Sequence, residues 1–285
     1  MKAVIPCGGR GLRFLPITKE IPKEILPIVD VPVISYLVNE CVESDIDEII
    51  IVISPSKTVI KDYFTSHRLY DELISAGKSE QAETIKKVLN NANISFVVQN
   101  QPRGLADAIM QTKYYVGSQR FCVLLGDDLV ISDRPVARQL SEAFDSCGAT
   151  IVGVQKCLSD DITKYGVSVP VADTGDKLLK IKKFVEKPPL NNVPSRLACY
   201  GRYLLKDVFR YIEGIKPSVS GELMLTDALT EQCADGGVYS YTFDGVRYDM
   251  GDKFSSLKAA IELSLNRKDF GSELKQYLLQ LTKSL

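Results

Sequence analysis

Behind the apolar run Ala3-Val4-Ile5, three glycines (Gly8, Gly9, Gly11) are interleaved with and followed by four cations: Arg10, Arg13, Lys19 and Lys23. Glycine lets a backbone turn sharply and approach a ligand without a Cβ in the way. Successive free amides of this kind form anion-binding nests. Between Arg10 and Glu24 the chain carries four positive and two negative side chains, an excess suited to a polyphosphate. On composition alone, a glycine turn with solvated cations remains the other reading. Both standard nucleotide loops are absent. Gly9-Arg10-Gly11-Leu12-Arg13-Phe14 begins as GxGxxG, but Phe14 stands at the third glycine, and Pro16 and Pro22 keep a helix from starting directly behind. No GxxxxGK[ST] occurs either.

Two adjacent pairs of charged residues could do further chemistry. Asp127 and Asp128 close FCVLLGDD (121–128), and a carboxylate ending an apolar strand suits a metal site or a cap. Strand alternation turns Asp128 away from Asp127. In VEKP, the neighbours Glu186 and Lys187 are expected to diverge in the same way, or to form a solvated pair. The single histidine, His67, lies between Ser66 and Arg68 and reads as a surface residue. Serine- or cysteine-histidine catalysis is thereby excluded. Carboxylates, lysines, backbone amides or a metal must carry any reaction.

These groups need elements to position them. Short runs apolar on both faces read as buried parallel strands: KAVIPC (2–7), EIIIVIS (48–54), ISFVVQ (94–99), FCVLLGDD and ATIVGVQ (149–155). Helix-period segments alternate with them at 32–44, 69–91, 104–116 and 135–147. This predicts a Rossmann-like, doubly wound α/β sheet, whose ligands bind beyond the carboxyl ends of the strands. From about residue 165 the pattern becomes antiparallel or mixed, with helices near 206–213 and 222–234 and a strand at 239–243 leading to VRYDMGD. Two closing helices follow at 253–265 and 270–284. No linker or repeat divides the chain. We expect one domain over 1–285, with a doubly wound half (1–155), a mixed half (156–252) and C-terminal helices (253–285).

Composition narrows the partners. The formal net charge is −1 and no basic run reaches five residues, so a nucleic-acid partner has no cationic field to bind to. No apolar run approaches the ~18–20 residues of a membrane span. The N-terminus lacks a secretory signal pattern, and seven scattered cysteines without CxxC fit a reducing cytoplasm.

GGRGLRFLPITKEIPKEILPIVDVP resembles the signature of the sugar-1-phosphate nucleotidyltransferases, G-x-G-T-R followed by P-K-x-x-L-P. The IPKE form and the spacing look like the bacterial UTP–glucose-1-phosphate uridylyltransferase branch. VVQNQPRGLADAI, LLGDDLVIS, KYGV, FVEKP, GRYLL, GELMLTDAL and RYDMGD follow in the family's order. The resemblance implies a nucleotidyltransferase fold in which 1–155 is the nucleotide-binding half and 156–252 the sugar-phosphate-binding half, with an inserted antiparallel sugar-binding part. It implies transfer of a uridylyl group from UTP to glucose 1-phosphate with Mg²⁺. It puts Gly8, Gly9 and Gly11 on the nucleotide, Arg13 on its β/γ-phosphates and Lys23 near the reacting centre. Gln99 and Gly104 would contact the base, the amide donating and accepting on the imide edge. Asp127 and Asp249 would hold the metal. Glu186 would meet the sugar hydroxyls and Lys187 the sugar phosphate, with Gly166, Gly201 and Glu222 around the sugar.

Three departures leave base and sugar choice open: Leu12 for the usual threonine, Asp107 where the branch commonly has histidine, and the extra charge of Arg10. Another sugar-nucleotide synthase, using dTTP or a different sugar, and a non-catalytic nucleotide-sugar binder are the alternatives. The family is commonly oligomeric. In the last segment Leu274, Tyr277, Leu278 and Leu281 form one apolar helical stripe, with Leu279 off it, suited to packing on its own subunit or to a homodimer or homotetramer contact.

Overall fold

Alternate residues of the first strands feed opposite faces of one sheet. In the computed structural model, which describes residues 1–89 and 91–283, Ala3 and Ile5 enter one core and Val4 the other; Ile49, Ile51 and Ile53 divide from Ile50 and Val52 in the same way. A strand buried on both faces needs helices above and below it. The strands are β1 (Lys2–Pro6), β2 (Pro27–Ile28), β3 (Val31–Pro32), β4 (Glu48–Ile53), β5 (Asn93–Val98), β6 (Phe121–Leu124) and β7 (Asp128–Ile131). There follow β8 (Thr150–Lys156), β9 (Gly166–Pro170), β10 (Leu178–Glu186), β11 (Leu197–Leu205), β12 (Val238–Thr242) and β13 (Val246–Asp249). The helices are α1 (Val33–Val42), α2 (Thr58–Thr65), α3 (Arg68–Ser75), α4 (Ser79–Leu89), α5 (Leu105–Met110) and α6 (Lys113–Val116). Then come α7 (Val136–Cys147), α8 (Phe209–Gly214), α9 (Leu225–Ala234), α10 (Lys253–Leu265) and α11 (Gly271–Thr282).

Among the described residues one nine-stranded sheet runs in the order β5-β4-β1-β6-β11-β8-β12-β10-β9. Its β5-β4-β1-β6 part is parallel, β8 and β12 are parallel to each other, and β11, β10 and β9 pair antiparallel. One mixed sheet therefore spans both halves of the chain. The apolar faces of α1 and α7 cover one side, those of α5, α8 and α9 the other. Across the first core Arg202 of β11, 1% exposed, forms a bidentate pair with Glu40 of α1 at 2.7 and 2.9 Å.

Several boundaries differ from the sequence reading. The polar stretch 69–91 divides into α3 and α4, and α2 precedes them. The segment 104–116 is broken into α5 and α6, because the buried Thr112 hydroxyl donates to the Ile109 carbonyl at 2.7 Å. Such local side-chain bonding competes with helix continuation. Strand β6 ends at Leu124, so Asp127 lies in the turn behind it rather than at the strand end. The expected helix end at residue 284 lies outside the described residues.

A small ribbon decides where the site forms. Strand β13 pairs antiparallel with β7, setting Asp249 opposite Asp128 and Arg247 opposite Val130. The Met250 amide donates to the Asp127 carbonyl at 2.8 Å. Beneath this ribbon Ile28, Val33, Leu129, Tyr248, Met250 and Ala259 form a separate small core that ties β2, α1 and α10 to it.

Candidate active site

The glycine loop leaves β1 and turns at Gly11, whose φ of 66° is strained for any other residue type. The Thr18 hydroxyl donates back to the Gly11 carbonyl at 2.7 Å, folding the loop on itself. Its inner anchor is Glu24, buried against Lys57 at 2.8 Å; Lys57 also donates to the Cys7 carbonyl at 2.6 Å. Burial raises the Glu24 carboxyl, with the Lys57 and Lys23 charges opposing it. Lys57 sits just before α2 and holds both ends of the loop.

Lys23 projects from the opposite side of this turn and pairs with Asp127. Burial pulls the Lys23 ammonium down, but Asp127 and Glu24 outweigh it and leave it above its ordinary value. Burial likewise raises Asp127, and the adjacent Lys23 overrides it, holding the carboxyl below the usual range. Each charge thus stabilises the other.

Asp127 and Asp249 border one small space. A Cβ built on Gly251 would lie 3.0 Å from Asp249 Oδ1 and 3.2 Å from Asp127 Oδ2, so the space exists because residue 251 is glycine. Asp249 accepts from the Gly251 amide at 2.9 Å and the Tyr165 hydroxyl at 3.1 Å. Arg13 Nη1 lies 3.9 Å from Asp249 Oδ2, and Arg247 Nη2 3.6 Å from it. Asp128 points elsewhere. It accepts from Arg247 Nε at 2.6 Å and covers Gly201, where its Cβ would be 2.8 Å from a Cβ at that position. Arg247 is further held between the rings of Tyr165 and Tyr200, 4.5 and 4.2 Å from their centroids.

Two cavities meet at Asp127. One, of about 520 Å³, is lined by the loop from Gly9 to Phe14, Lys23, Pro102, Ser220, Glu222 and Gly251. The other, of about 260 Å³, takes Tyr165, Gly166, Glu186, Lys187, Thr226, Arg247 and Asp249. Arg13, Asp127 and Glu222 line both. Gly166 pairs with Glu186 across β9 and β10, and Thr226 donates to Glu186 at 3.1 Å. Lys187 does not diverge from Glu186 as expected. Its φ of 42° bends the chain just after β10, and Nζ returns to 3.6 Å from Glu186 Oε1. The Lys187 amide donates to the Tyr165 carbonyl at 3.1 Å, which secures the bend.

Gln99 follows β5 and is buried beside Gly8, at which an added Cβ would lie 2.6 Å from Oε1. Its Nε2 donates to Asp107 at 2.7 Å and to the Gly104 carbonyl at 3.2 Å. Both amide hydrogens are therefore used inside the protein, and the side chain presents an acceptor alone rather than a donor and an acceptor. Gly104, with φ 97°, abuts the Leu223 backbone, where any Cβ would stand 2.6 Å from the carbonyl oxygen.

Of the residues singled out in the sequence, Gly9, Gly11, Arg13, Lys23, Asp127, Gly166, Glu186, Lys187, Glu222 and Asp249 line the two cavities. Gly8, Gln99 and Gly104 are not among the lining residues; Gln99 packs on Gly8, which adjoins the lining residue Gly9. Gly201 lines neither cavity; its φ of 61° forms the bulge of β11 that receives Asp128. Lys57, Tyr165, Thr226 and Arg247 were not singled out. Tyr165 and Arg247 stand inside the quoted KYGV and RYDMGD motifs, which was the available signal; Lys57 carried none.

Comparison with known proteins extends over the whole arrangement. A family model described as nucleotidyl transferase matches residues 2–266. UTP–glucose-1-phosphate uridylyltransferase 1 of Staphylococcus saprophyticus is 38% identical over 284 residues, covering 99% of each chain. The UTP–glucose-1-phosphate uridylyltransferase of Bacillus subtilis is 39% identical over 279 residues, covering 97% of this chain and 95% of its own. A solved UDP-glucose pyrophosphorylase in complex with UDP-glucose superposes with a TM-score of 0.84 at 35% identity, covering 93% of this chain and 99% of that one. A UTP-bound enzyme of the same name from Acinetobacter baumannii gives 0.89 at 32% identity over 98% and 99%. From its opening glycine loop to the Asp249 ribbon, the chain belongs to the nucleotidyl transferase family.

Proposed function

We infer that the chain transfers a uridylyl group from UTP to glucose 1-phosphate, yielding UDP-glucose and pyrophosphate. One observation carries the reading: a cationic, glycine-walled cavity and a smaller polar one join at Asp127, as two anionic reactants that must meet would require. A phosphate oxygen of the sugar attacks the α-phosphorus. The new P–O bond forms as the bond to the bridging oxygen breaks, and pyrophosphate leaves. Such transfer needs alignment and charge neutralisation more than a general base.

In this reading the amides of Gly8, Gly9 and Gly11 and the Arg13 guanidinium hold the triphosphate of UTP, with Lys23 beside the α-phosphate. Lys187 neutralises the sugar phosphate, while Glu186 and Glu222 accept from sugar hydroxyls beside the open backbone of Gly166. Gln99 and Gly104 line the base. Asp127 and Asp249 would hold a divalent cation, Mg²⁺ in this reading: two carboxylates border one small space, and hard oxygen donors suit that ion. Bound there, the ion would supply charge neutralisation at the phosphates. Gly201 supports this site from below through Asp128 and Arg247.

Cytoplasmic location is in keeping with seven free cysteines, and no described helix is long and apolar enough to cross a membrane. A homo-oligomer is supported by α11, whose Tyr277 and Leu279 remain 59% and 56% exposed. The decisive assay measures pyrophosphate release for UTP, dTTP, CTP and ATP against several sugar 1-phosphates. Highest kcat/KM for UTP with glucose 1-phosphate is expected; preference for any other pair reassigns the substrate.

A further inference from the structure

Asp107 has no partner role in the phosphate chemistry, yet it is 4% exposed and collects three donors. Its Oδ2 accepts from Gln99 Nε2 at 2.7 Å. Its Oδ1 accepts from Arg103 Nη2 at 3.1 Å and Gln111 Nε2 at 3.4 Å. A carboxylate offers acceptors only, whereas an amide offers one acceptor and one donor group. Gln99 therefore has one orientation compatible with its neighbours: Nε2 turned inward, where Asp107 and the Gly104 carbonyl take its two hydrogens. Among the described residues no hydrogen bond reaches Gln99 Oε1, which lies at Gly8, one residue before the cavity wall at Gly9.

We propose that Asp107 is a positioning residue for base selection: it locks the Gln99 amide with Oε1 as the free atom, so that the site takes a pyrimidine whose N3 carries a hydrogen and refuses one whose N3 is a bare acceptor. Uracil and thymine satisfy that acceptor. Cytosine meets it with a lone pair. The inference rests on Gln99 facing the base, as in the function inferred above. It adds the reason for the direction in which that side chain reads.

The donors around Asp107 make the test sharp. In Asp107→Asn, Arg103 and Gln111 still require an acceptor and retain Oδ1, which leaves Nδ2 facing Gln99. An N–H group there opposes Gln99 Nε2 and leaves the Gly104 carbonyl as the one acceptor holding the inward orientation, so the turned-over amide, with Nε2 towards the base, becomes populated. The ratio of kcat/KM for UTP over CTP should then fall by at least about tenfold, since a polar group of the wrong kind is left facing the base. The ratio of dTTP to UTP and the KM for glucose 1-phosphate should stay within about twofold, because thymine shares the imide edge and the sugar site is separate. A general loosening of the pocket would move those as well.

An unchanged UTP:CTP ratio, or an equal loss with all three nucleotides, overturns the proposal. Gln99→Leu in parallel separates its failure from that of the base reading. Collapse of discrimination in Gln99→Leu alone discards the lock and keeps Gln99 as reader; no change in either variant removes Gln99 from the base site. A measurement on the unsubstituted protein covers poor folding of the variant. The lock requires both Gln99 Nε2 protons, held by Asp107 and the Gly104 carbonyl, to be protected from hydrogen exchange with solvent in NMR spectra, and exchange at the rate of a free side-chain amide refutes it.

Discussion

At the scale of single residues, the site is a balance of charges placed so that ligands can take over existing partners. Lys23 and Asp127 neutralise each other in the free protein, and phosphates and a divalent cation would each recruit one of them. Asp127→Asn and Asp249→Asn should each lower turnover at least ~10²-fold, since one charge-stabilising contact is worth roughly 2.7–4 kcal/mol. Steady-state pyrophosphate release checks this, and full release in EDTA would refute the metal assignment. The two lysines should part company. Lys23, in the loop cavity, should on replacement by Ala impair use of UTP; Lys187→Ala should mainly raise the requirement for glucose 1-phosphate. Identical changes for both substrates in both variants would show that the cavities do not divide the reactants.

Elements do the positioning, and the ribbon of β7 and β13 does most of it. Its pairing brings Asp249 to Asp128 and the neighbouring turn, across more than a hundred residues of chain. The Asp128–Arg247 pair fixes Arg247 near Asp249, and the bulge at Gly201 gives Asp128 its room. Gly201→Ala should therefore destabilise the fold by about 1–3 kcal/mol, the cost of a left-handed non-glycine residue, with the contact to Asp128 added. Thermal unfolding followed by circular dichroism measures it. A variant melting at the wild-type temperature would show that the ribbon adjusts freely.

For the whole molecule, the open question is what covers α11. Leu274 and Leu278 are half-buried, and the helix packs on α10, so part of the expected stripe belongs to the subunit's own fold. Tyr277 and Leu279 stay exposed, as do Phe254 and Leu257 of α10. Burying a large apolar side chain contributes about 1.5–3 kcal/mol, so a few of these could hold a subunit contact. Tyr277→Glu should shift the mass measured by light scattering towards monomer with the melting temperature little changed. An unaltered mass would make the exposed face plain surface.

The amino-acid sequence by itself determined the class of fold and the chemistry. Short apolar runs rich in β-branched residues read as buried strands, and their alternation with helical periods gives a doubly wound sheet. A cationic glycine loop, a near absence of histidine and motifs in family order confined the reaction to phosphates. Local pattern is enough for such conclusions because each depends on neighbours within a few positions. What it could not decide are relations between distant segments. That Asp127 belongs to a turn and Asp128 to a different strand depends on the pairing with β13. That Gly201 serves Asp128 instead of lining a cavity depends on a bulge in β11 where it pairs with β8. Lys57 acquired its place under the loop only through the Cys7 carbonyl and Glu24, both distant from it along the chain. The inward amide of Gln99 follows from Asp107, Gly104 and their donors meeting at one point. Each is a contact between side chains whose approach the tertiary fold alone fixes, because hydrogen bonds and ion pairs depend on distance in space and not on separation along the chain.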